Sequence, residues 1–131
     1  MSNENSKKPK ILLVDDDRFL LDMYLLKFEK SGFPIETASD SKEALAKLRD
    51  GAEYDILILD IIMPGIDGLE MLKTIRDEKL CQKTVVIMLT NQADETDKAK
   101  ALGVSGYIIK AMTIPSEVVE QVLKIYNKKN K

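Results

Sequence analysis

The length, composition and charge of this chain are those of one globular domain. Its 131 residues, 44% of them hydrophobic and 32% charged, suffice for a real core, which excludes a disordered chain and a pair of ordinary domains. The 20 basic and 22 acidic side chains leave a net charge of −2, which provides no basic surface for nucleic acid or anionic lipid. We therefore expect no direct nucleic-acid partner and no membrane partner.

Short apolar runs alternate with longer amphipathic segments along the chain. The runs are continuous in hydrophobicity, which is typical of parallel strands covered on both faces. In chain order they lie at residues 11–14, 34–38, 56–59, 85–89 and 107–109, and the run at 34–38 is the weakest. The segments with apolar residues three and four apart lie at residues 19–28, 44–48, 69–75, 93–102 and 118–126. Five strand-helix repeats with short connections predict an α/β fold, in which a parallel sheet lies between two layers of helices.

Helix ends are marked by polar caps and by glycines. Pairs with the spacing of a capping residue and its third helical neighbour are Asp40/Glu43, Asp67/Glu70 and Asn91/Asp94. We expect Asp17 to cap the first helix. Gly32, Gly51 and Gly103 each follow a predicted helix and suit its C-terminal end. Pro115 suits the first turn of the last helix.

The cysteine and histidine content limits the reactions that this chain can carry out. The single cysteine, Cys81, excludes an internal disulfide and fits a reducing compartment, so we expect an inert thiol and a cytoplasmic protein. The N-terminal residues form neither a signal peptide nor a membrane span. The chain has no histidine, which excludes histidine nucleophiles, histidine metal ligands and a phosphohistidine relay within it.

Chemically active side chains follow four of the predicted strands. They are Asp15, Asp16 and Asp17 after the first strand, Asp60 after the third, Thr90 after the fourth and Lys110 after the fifth. In open parallel sheets the ligand site lies at the carboxyl ends of the strands, where the strand order reverses. Each of these residues alone would be ordinary on a surface, but their joint position at one rim predicts a functional site.

The crowded carboxylates indicate a divalent cation. Neighbouring carboxylates repel each other, and Mg²⁺ (or Mn²⁺) relieves that repulsion because it favours oxygen ligands and is commonly held by one or two carboxylates with a phosphate. Asp15, Asp16 and Asp60 can form such a site. A carboxylate is also a nucleophile for phosphorus, and the Thr90 hydroxyl and the Lys110 ammonium can neutralise a transferred phosphoryl group.

Four stretches of the chain carry specific motifs: residues 10–17 (KILLVDDD), 55–68 (DILILDIIMPGIDG), 85–90 (VVIMLT) and 103–110 (GVSGYIIK). They resemble the four signature blocks of response-regulator receiver domains in two-component systems, and the resemblance covers roughly residues 10 to 127. It implies a flavodoxin-like, doubly wound sheet of five parallel strands in the order 2-1-3-4-5, with five helices.

The resemblance also implies roles for individual residues. Asp60 takes the position that accepts the phosphoryl group. Asp15 and Asp16 match the acidic pair that organises Mg²⁺, and the backbone carbonyl of Ile62 matches the third protein ligand.

By the same resemblance the protein is a phosphorylation-gated switch. A histidine kinase or a phosphotransfer protein donates the group, Lys110 contacts the phosphate, and the Thr90 hydroxyl moves toward it while Tyr107 turns inward. The surface of the fourth helix, fifth strand and fifth helix then changes and controls a downstream effector protein. Such a protein assists its own phosphorylation and dephosphorylation and is not an enzyme in the usual sense.

The expected domain spans residues 10–127, between mobile polar tails at 1–9 and 128–131. A stand-alone receiver and one excised from a longer chain have the same sequence features. The start at Met1 and the lysine-rich end favour a complete small protein.

Two residues depart from the family pattern. Ala111 follows Lys110 where the family usually has proline, and a cis peptide without proline costs about 3 kcal/mol more, so the reach of Lys110 is open at this point. Ile62 is apolar and offers no group to orient an attacking water, so we expect slow hydrolysis of the aspartyl phosphate.

Two other classes of function remain as alternatives. One is a metal-dependent phosphohydrolase that uses Asp15 and Asp17, although this leaves Asp60, Met63 and Pro64 unexplained. The other is a pseudo-receiver that binds partners without being phosphorylated, which the Ala111 departure keeps open. A dinucleotide-binding domain is excluded because the first turn, residues 15–18, has no glycine to admit a pyrophosphate.

Overall fold

The computed structural model describes residues 8–129. Its strands are β1 (Ile11–Val14), β2 (Ile35–Ala38), β3 (Ile56–Leu59), β4 (Val85–Thr90) and β5 (Gly106–Ile109). All neighbouring pairs are parallel, and the sheet has the order β2-β1-β3-β4-β5. The predicted doubly wound sheet and its strand order are confirmed.

Five α-helices follow the strands. They are α1 (Arg18–Lys30), α2 (Ser41–Arg49), α3 (Gly68–Asp77), α4 (Thr96–Ala101) and α5 (Pro115–Lys129). Short 3₁₀ turns precede α4 at Ala93–Glu95 and follow β5 at Lys110–Met112. Among residues 8–129, no helix combines the length and the apolar character needed to cross a bilayer.

Each predicted tail is described only in part. Pro9 is buried, and Lys128 and Lys129 belong to α5. Residues 1–7 and 130–131 of the two tails lie outside the described residues.

The core consists of two apolar layers, one on each face of the sheet. Alternate residues of the central strands point to opposite faces. One layer packs β-strand residues such as Leu12 and Leu57 against α2, α3 and Ala99 of α4. The other packs residues such as Leu13 and Ile58 against α1 and α5. Because both faces are covered, the central strands are continuously apolar, as the sequence indicated.

Most of the predicted helix ends are confirmed. The side chains of Asp17, Asp40 and Asp67 accept hydrogen bonds from the backbone of the first helical turn, and Asp67 forms a capping box with Glu70. The expected cap at Asn91 is wrong. Neither the 3₁₀ turn Ala93–Glu95 nor α4 has a side-chain cap, and the Asn91 side chain accepts a hydrogen bond elsewhere.

Candidate functional site at the carboxyl ends of the strands

The strand register brings the predicted residues together at one rim. Val14 of β1 pairs with Leu59 of β3, so the residues that follow them, Asp15 and Asp60, lie side by side. Thr90, the last residue of β4, pairs with Ile109 of β5, so that Lys110 follows directly beside it.

Three carboxylates form a tight acidic cluster. Asp15, Asp16 and Asp60 each offer an oxygen that lies within 4.8 Å of the other two. Asp15 and Asp60 are buried, at 1% and 6% exposure, whereas Asp16 is exposed. Opposite oxygen ligands of a Mg²⁺ ion are about 4.2 Å apart, so the cluster is close to the size that such a cation requires.

Lys110 bridges the two buried carboxylates. Its Nζ lies 2.6 Å from Asp15 Oδ2 and 2.9 Å from Asp60 Oδ2, and the side chain is only 8% exposed. Burial lowers the pKa of Lys110, but the two carboxylates together outweigh that effect and leave its pKa above the ordinary value. The ammonium is therefore charged at neutral pH, and it leaves two of the three carboxylate charges uncompensated by Lys110.

Burial disfavours the charged form of the Asp15 carboxylate. Burial raises its pKa, and the Lys110 contact, the hydrogen bond from the Asp17 amide and the charge of Lys110 oppose that rise only in part. Its Oδ1 accepts a hydrogen bond from the Asp17 amide at 2.9 Å. Its buried Oδ2 has the ion-pair contact with Lys110 but no partner in hydrogen-bond geometry. A buried carboxylate oxygen of this kind fits an oxygen-seeking divalent cation.

The reach of Lys110 does not depend on a cis peptide. No peptide bond in residues 8–129 is cis, so Lys110 is joined to Ala111 by a trans bond. The 3₁₀ turn that begins at Lys110 is fixed by the Ala111 amide, which donates to Asn91 Oδ1 at 2.7 Å, and by the Thr113 amide, which donates to the Lys110 carbonyl at 3.3 Å.

Thr90 and Tyr107 are both tied to Gln92. The Gln92 amide donates to Thr90 Oγ1 at 3.2 Å, and the Tyr107 hydroxyl donates to the Gln92 carbonyl. Thr90 is fully buried, and Tyr107 is half-buried against the core layer on the α2 and α3 face. Burial raises the pKa of Tyr107, so its hydroxyl keeps its proton and remains a donor. The two predicted switch residues are thus connected through the β4–α4 loop.

Gly68 sets the position of the Asp60 backbone, a role that the sequence motif did not reveal. The Gly68 amide donates to the Ile61 carbonyl at 2.8 Å. A Cβ on Gly68 would lie 2.0 Å from the Asp60 carbonyl oxygen and 2.9 Å from its carbonyl carbon. Only glycine lets the start of α3 approach the end of β3 this closely.

Two further predicted residues lie at the edge of the cluster. Asp17 Oδ1 accepts from the Leu20 amide at 3.2 Å, so its carboxylate serves α1 as expected. The Ile62 side chain is 57% exposed in the β3–α3 loop. The role of its backbone carbonyl as a metal ligand stays a prediction.

Sequence comparisons match most of the chain. The family model described as "Response regulator receiver domain" matches residues 11–122. Transcriptional regulatory protein ResD of Bacillus subtilis is 39% identical over 124 residues, and this covers 91% of the chain and 48% of ResD. PhoP of Bacillus subtilis, the alkaline phosphatase synthesis regulator, is 36% identical, with coverage of 88% and 48%. The chain spans about half the length of the curated relatives it matches.

Solved structures share the fold. The chemotaxis response regulator CheY4 of Vibrio cholerae superposes with a TM-score of 0.81 at 30% identity, over 91% of this chain and 99% of that one. The response regulator TrrA of Thermotoga maritima has a TM-score of 0.76 at 34% identity, over 88% and 97% of the two chains. Given the match over residues 11–122 and these relatives, the chain belongs to the response regulator receiver domain family of two-component signalling.

Proposed function

We propose that the protein is a phosphorylation-gated switch whose Asp60 accepts a phosphoryl group in the presence of Mg²⁺. The observation that carries the proposal is the position of Lys110 Nζ, 2.9 Å from Asp60 Oδ2 and 2.6 Å from Asp15 Oδ2. A buried ammonium held against the acceptor carboxylate is well placed to neutralise an incoming phosphoryl group, and phosphoryl transfer depends mainly on positioning and charge neutralisation.

The reaction at Asp60 is a substitution at phosphorus. A carboxylate oxygen of Asp60 bonds to phosphorus while the bond from phosphorus to the donor breaks, and the leaving group keeps the electron pair. With acetyl phosphate as donor the products are the aspartyl phosphate and acetate. We assign the donor in the cell to a histidine kinase or a phosphotransfer protein, by analogy with the two-component family.

Asp15, Asp16 and Asp60 would hold the Mg²⁺, or Mn²⁺, together with the backbone carbonyl of Ile62. The spacing of the carboxylates, the buried Asp15 Oδ2 without a hydrogen bond and the uncompensated negative charge support this set. The related TrrA structure is a complex with Mg²⁺ and BeF, which is further support. The bound cation would neutralise phosphoryl oxygens and the crowded carboxylates.

The output follows from the contacts of Thr90. If its hydroxyl turns toward a phosphoryl group on Asp60, it gives up the hydrogen bond from the Gln92 amide, and Gln92 then keeps only the hydrogen bond from the Tyr107 hydroxyl. The surface of α4, β5 and α5 then differs between the two states. We assign the readout of that surface to an effector protein. The cytoplasmic location and the absence of direct nucleic-acid binding stay predictions.

The phosphohydrolase alternative is less well supported by the geometry. It needs Asp17 as a reacting group, but Asp17 caps α1. The pseudo-receiver alternative rested on doubt about the reach of Lys110, and the ion pairs of Lys110 with Asp15 and Asp60 count against it.

Intact-mass measurement tests the proposal. The protein is incubated with acetyl phosphate and MgCl₂, with Asp60→Asn and an EDTA sample as controls. We expect one acid-stable, base-labile phosphoryl group on the wild type and none on either control. A phosphoryl group that persists in Asp60→Asn, or one that forms without Mg²⁺ at the same rate, contradicts the proposal.

A further inference from the structure

The β5–α5 turn is fixed to the β4–α4 loop by one hydrogen bond between distant residues. The Ala111 amide donates to Asn91 Oδ1 at 2.7 Å, across 20 positions of sequence. A proline at position 111 would have no amide hydrogen to donate. The bond therefore exists only because residue 111 is not proline.

The bond acts on the residue next to Lys110. Ala111 is the second residue of the 3₁₀ turn Lys110–Met112, and Lys110 Nζ contacts both Asp15 and Asp60 from the first position of that turn. Fixing the Ala111 amide restricts the backbone dihedral angles on the C-terminal side of Lys110. The Asn91 side chain thus restricts the position of the Lys110 backbone. The other hydrogen bond of the turn, from the Thr113 amide to the Lys110 carbonyl, is longer, at 3.3 Å.

The Asn91 side chain does not cap a helix. The following 3₁₀ turn and α4 both lack a side-chain cap, and the bond to Ala111 is the hydrogen bond that the described structure gives the Asn91 side chain. Asn91 is exposed, so it is not needed to fill the core.

We propose that Asn91 is a positioning residue for Lys110, which holds the β5–α5 turn through the Ala111 amide in place of a fixed proline. This role rests on the proposed phosphorylation of Asp60. Asn91 touches neither the acceptor nor the phosphoryl group, and its effect reaches the reaction only through Lys110.

The phosphorylation rate with acetyl phosphate at saturating Mg²⁺ tests the proposal in Asn91→Ala. We expect a fall of about fivefold, which equals about 1 kcal/mol at 1.36 kcal/mol per tenfold and is the usual size of one neutral hydrogen bond. Asn91→Asp keeps the accepting oxygen and is expected to restore most of the rate, measured at high salt to screen its charge. Gln82→Ala, an exposed amide at the opposite end of the sheet, is the matched control.

Ala111→Pro removes the amide that donates to Asn91, so it completes a double-mutant cycle with Asn91→Ala. In that background Asn91→Ala is expected to change the rate by less than twofold, since no bond is left to remove. Independently of activity, the Ala111 amide proton is expected to shift upfield in the NMR spectrum of Asn91→Ala and to return in Asn91→Asp. Asn91→Ala is expected to be less stable than Gln82→Ala by no more than about 1 kcal/mol of unfolding free energy, the usual value of one hydrogen bond, so that the variant stays folded in the assay.

The outcomes separate the two proposals. If the wild type is phosphorylated on Asp60 but Asn91→Ala reacts as fast as Gln82→Ala, the positioning role is wrong and the proposed function stands. An equal effect of Asn91→Ala in the wild-type and Ala111→Pro backgrounds also overturns the role. If the wild type itself gains no phosphoryl group, the proposed function is wrong and the role falls with it, even if the Ala111 amide shift confirms the bond.

Discussion

Thr90 and Tyr107 both form hydrogen bonds with the backbone of Gln92. The Thr90 hydroxyl accepts from the Gln92 amide at 3.2 Å, and the Tyr107 hydroxyl donates to the Gln92 carbonyl. A movement of either hydroxyl therefore changes the restraint on the β4–α4 loop, which leads into α4. This loop has no helix cap to stabilise it independently.

Tyr107→Phe removes one of the two restraints. We expect amide hydrogens of residues 91–95 to exchange several-fold faster, and the protein to lose about 1 kcal/mol of unfolding free energy, the usual value of one hydrogen bond. Hydrogen exchange followed by mass spectrometry measures the first effect and urea unfolding the second. Unchanged exchange in this loop, with exchange in β2 as the internal reference, would show that the bond to Gln92 does not restrain it.

Gly68→Ala is expected to be strongly destabilising because the new Cβ would overlap the Asp60 carbonyl group. Overpacking usually costs about 1–3 kcal/mol and occasionally more, and here the neighbouring atoms are backbone atoms that cannot rotate away. Gly51→Ala is the matched control, since its new Cβ meets nothing within 4 Å and bears only the strain of a φ of +92°. Urea unfolding is expected to show the larger loss for Gly68→Ala, and equal losses would contradict the close approach of α3 to β3.

The chain positions of the strands and of the site carboxylates were predictable, but long-range partners were not. Continuous apolar runs located the strands to within one or two residues, and Asp15, Asp60 and Lys110 followed from their places just past strand ends. Asn91 was misassigned because its spacing to Asp94 is a local capping pattern. Its actual partner, Ala111, lies in another strand-helix connection, and such pairings depend on tertiary geometry that local patterns do not contain.

Local sequence patterns also did not predict the extent of α4 or the reason for glycine at position 68. The amphipathic pattern at residues 93–102 predicted one helix, whereas the structure has a 3₁₀ turn followed by the six-residue α4. The Asp67/Glu70 pair indicated a helix start, which is correct, but the steric reason for glycine at position 68 appears only when α3 lies against the Asp60 backbone.

Ile62 is expected to keep the aspartyl phosphate long-lived. Its exposed apolar side chain cannot orient a water molecule for attack, whereas Ile62→Asn supplies an amide at that position. We expect Ile62→Asn to hydrolyse the phosphoryl group about tenfold faster, which is less than the roughly 10²–10⁴-fold of general acid–base catalysis because the amide orients the water without taking its proton. Loss of the phosphoryl mass with time, after removal of donor, measures the rate. Equal lifetimes, or a wild-type lifetime as short as that of the variant, would contradict this expectation.

The ion network around Glu36 predicts a pH-dependent stability. The Tyr54 hydroxyl, which donates to Glu36 Oε1 at 2.7 Å, is the main cause that lowers the pKa of Glu36, with Lys10 and Lys47 adding to it. Because the folded pKa is lowered, the stabilisation is complete above the unfolded value of 4.5 and is lost as pH falls through the folded pKa.

Tyr54→Phe tests this network. We expect the variant to be less stable than the wild type at pH 7 and the gap to shrink as the pH is lowered below 4.5. The ionic part is expected to stay below about 1 kcal/mol because the Glu36 side chain is 41% exposed and screened by water. Urea unfolding at a series of pH values measures the gap, and a gap that is constant with pH would mean that the Tyr54 hydrogen bond does not depend on the charge of Glu36.

A Mg²⁺ titration followed by NMR tests most directly whether Asp15, Asp16 and Asp60 share one divalent cation beside Lys110. Asp15→Asn is expected to raise the Kd for Mg²⁺ by at least about tenfold, since it removes the charge of a ligand oxygen. Asp17→Asn, which preserves the α1 cap, is expected to leave the Kd within about twofold of the wild type. Equal Mg²⁺ affinity in the wild type and Asp15→Asn, or a loss confined to Asp17→Asn, would contradict the account.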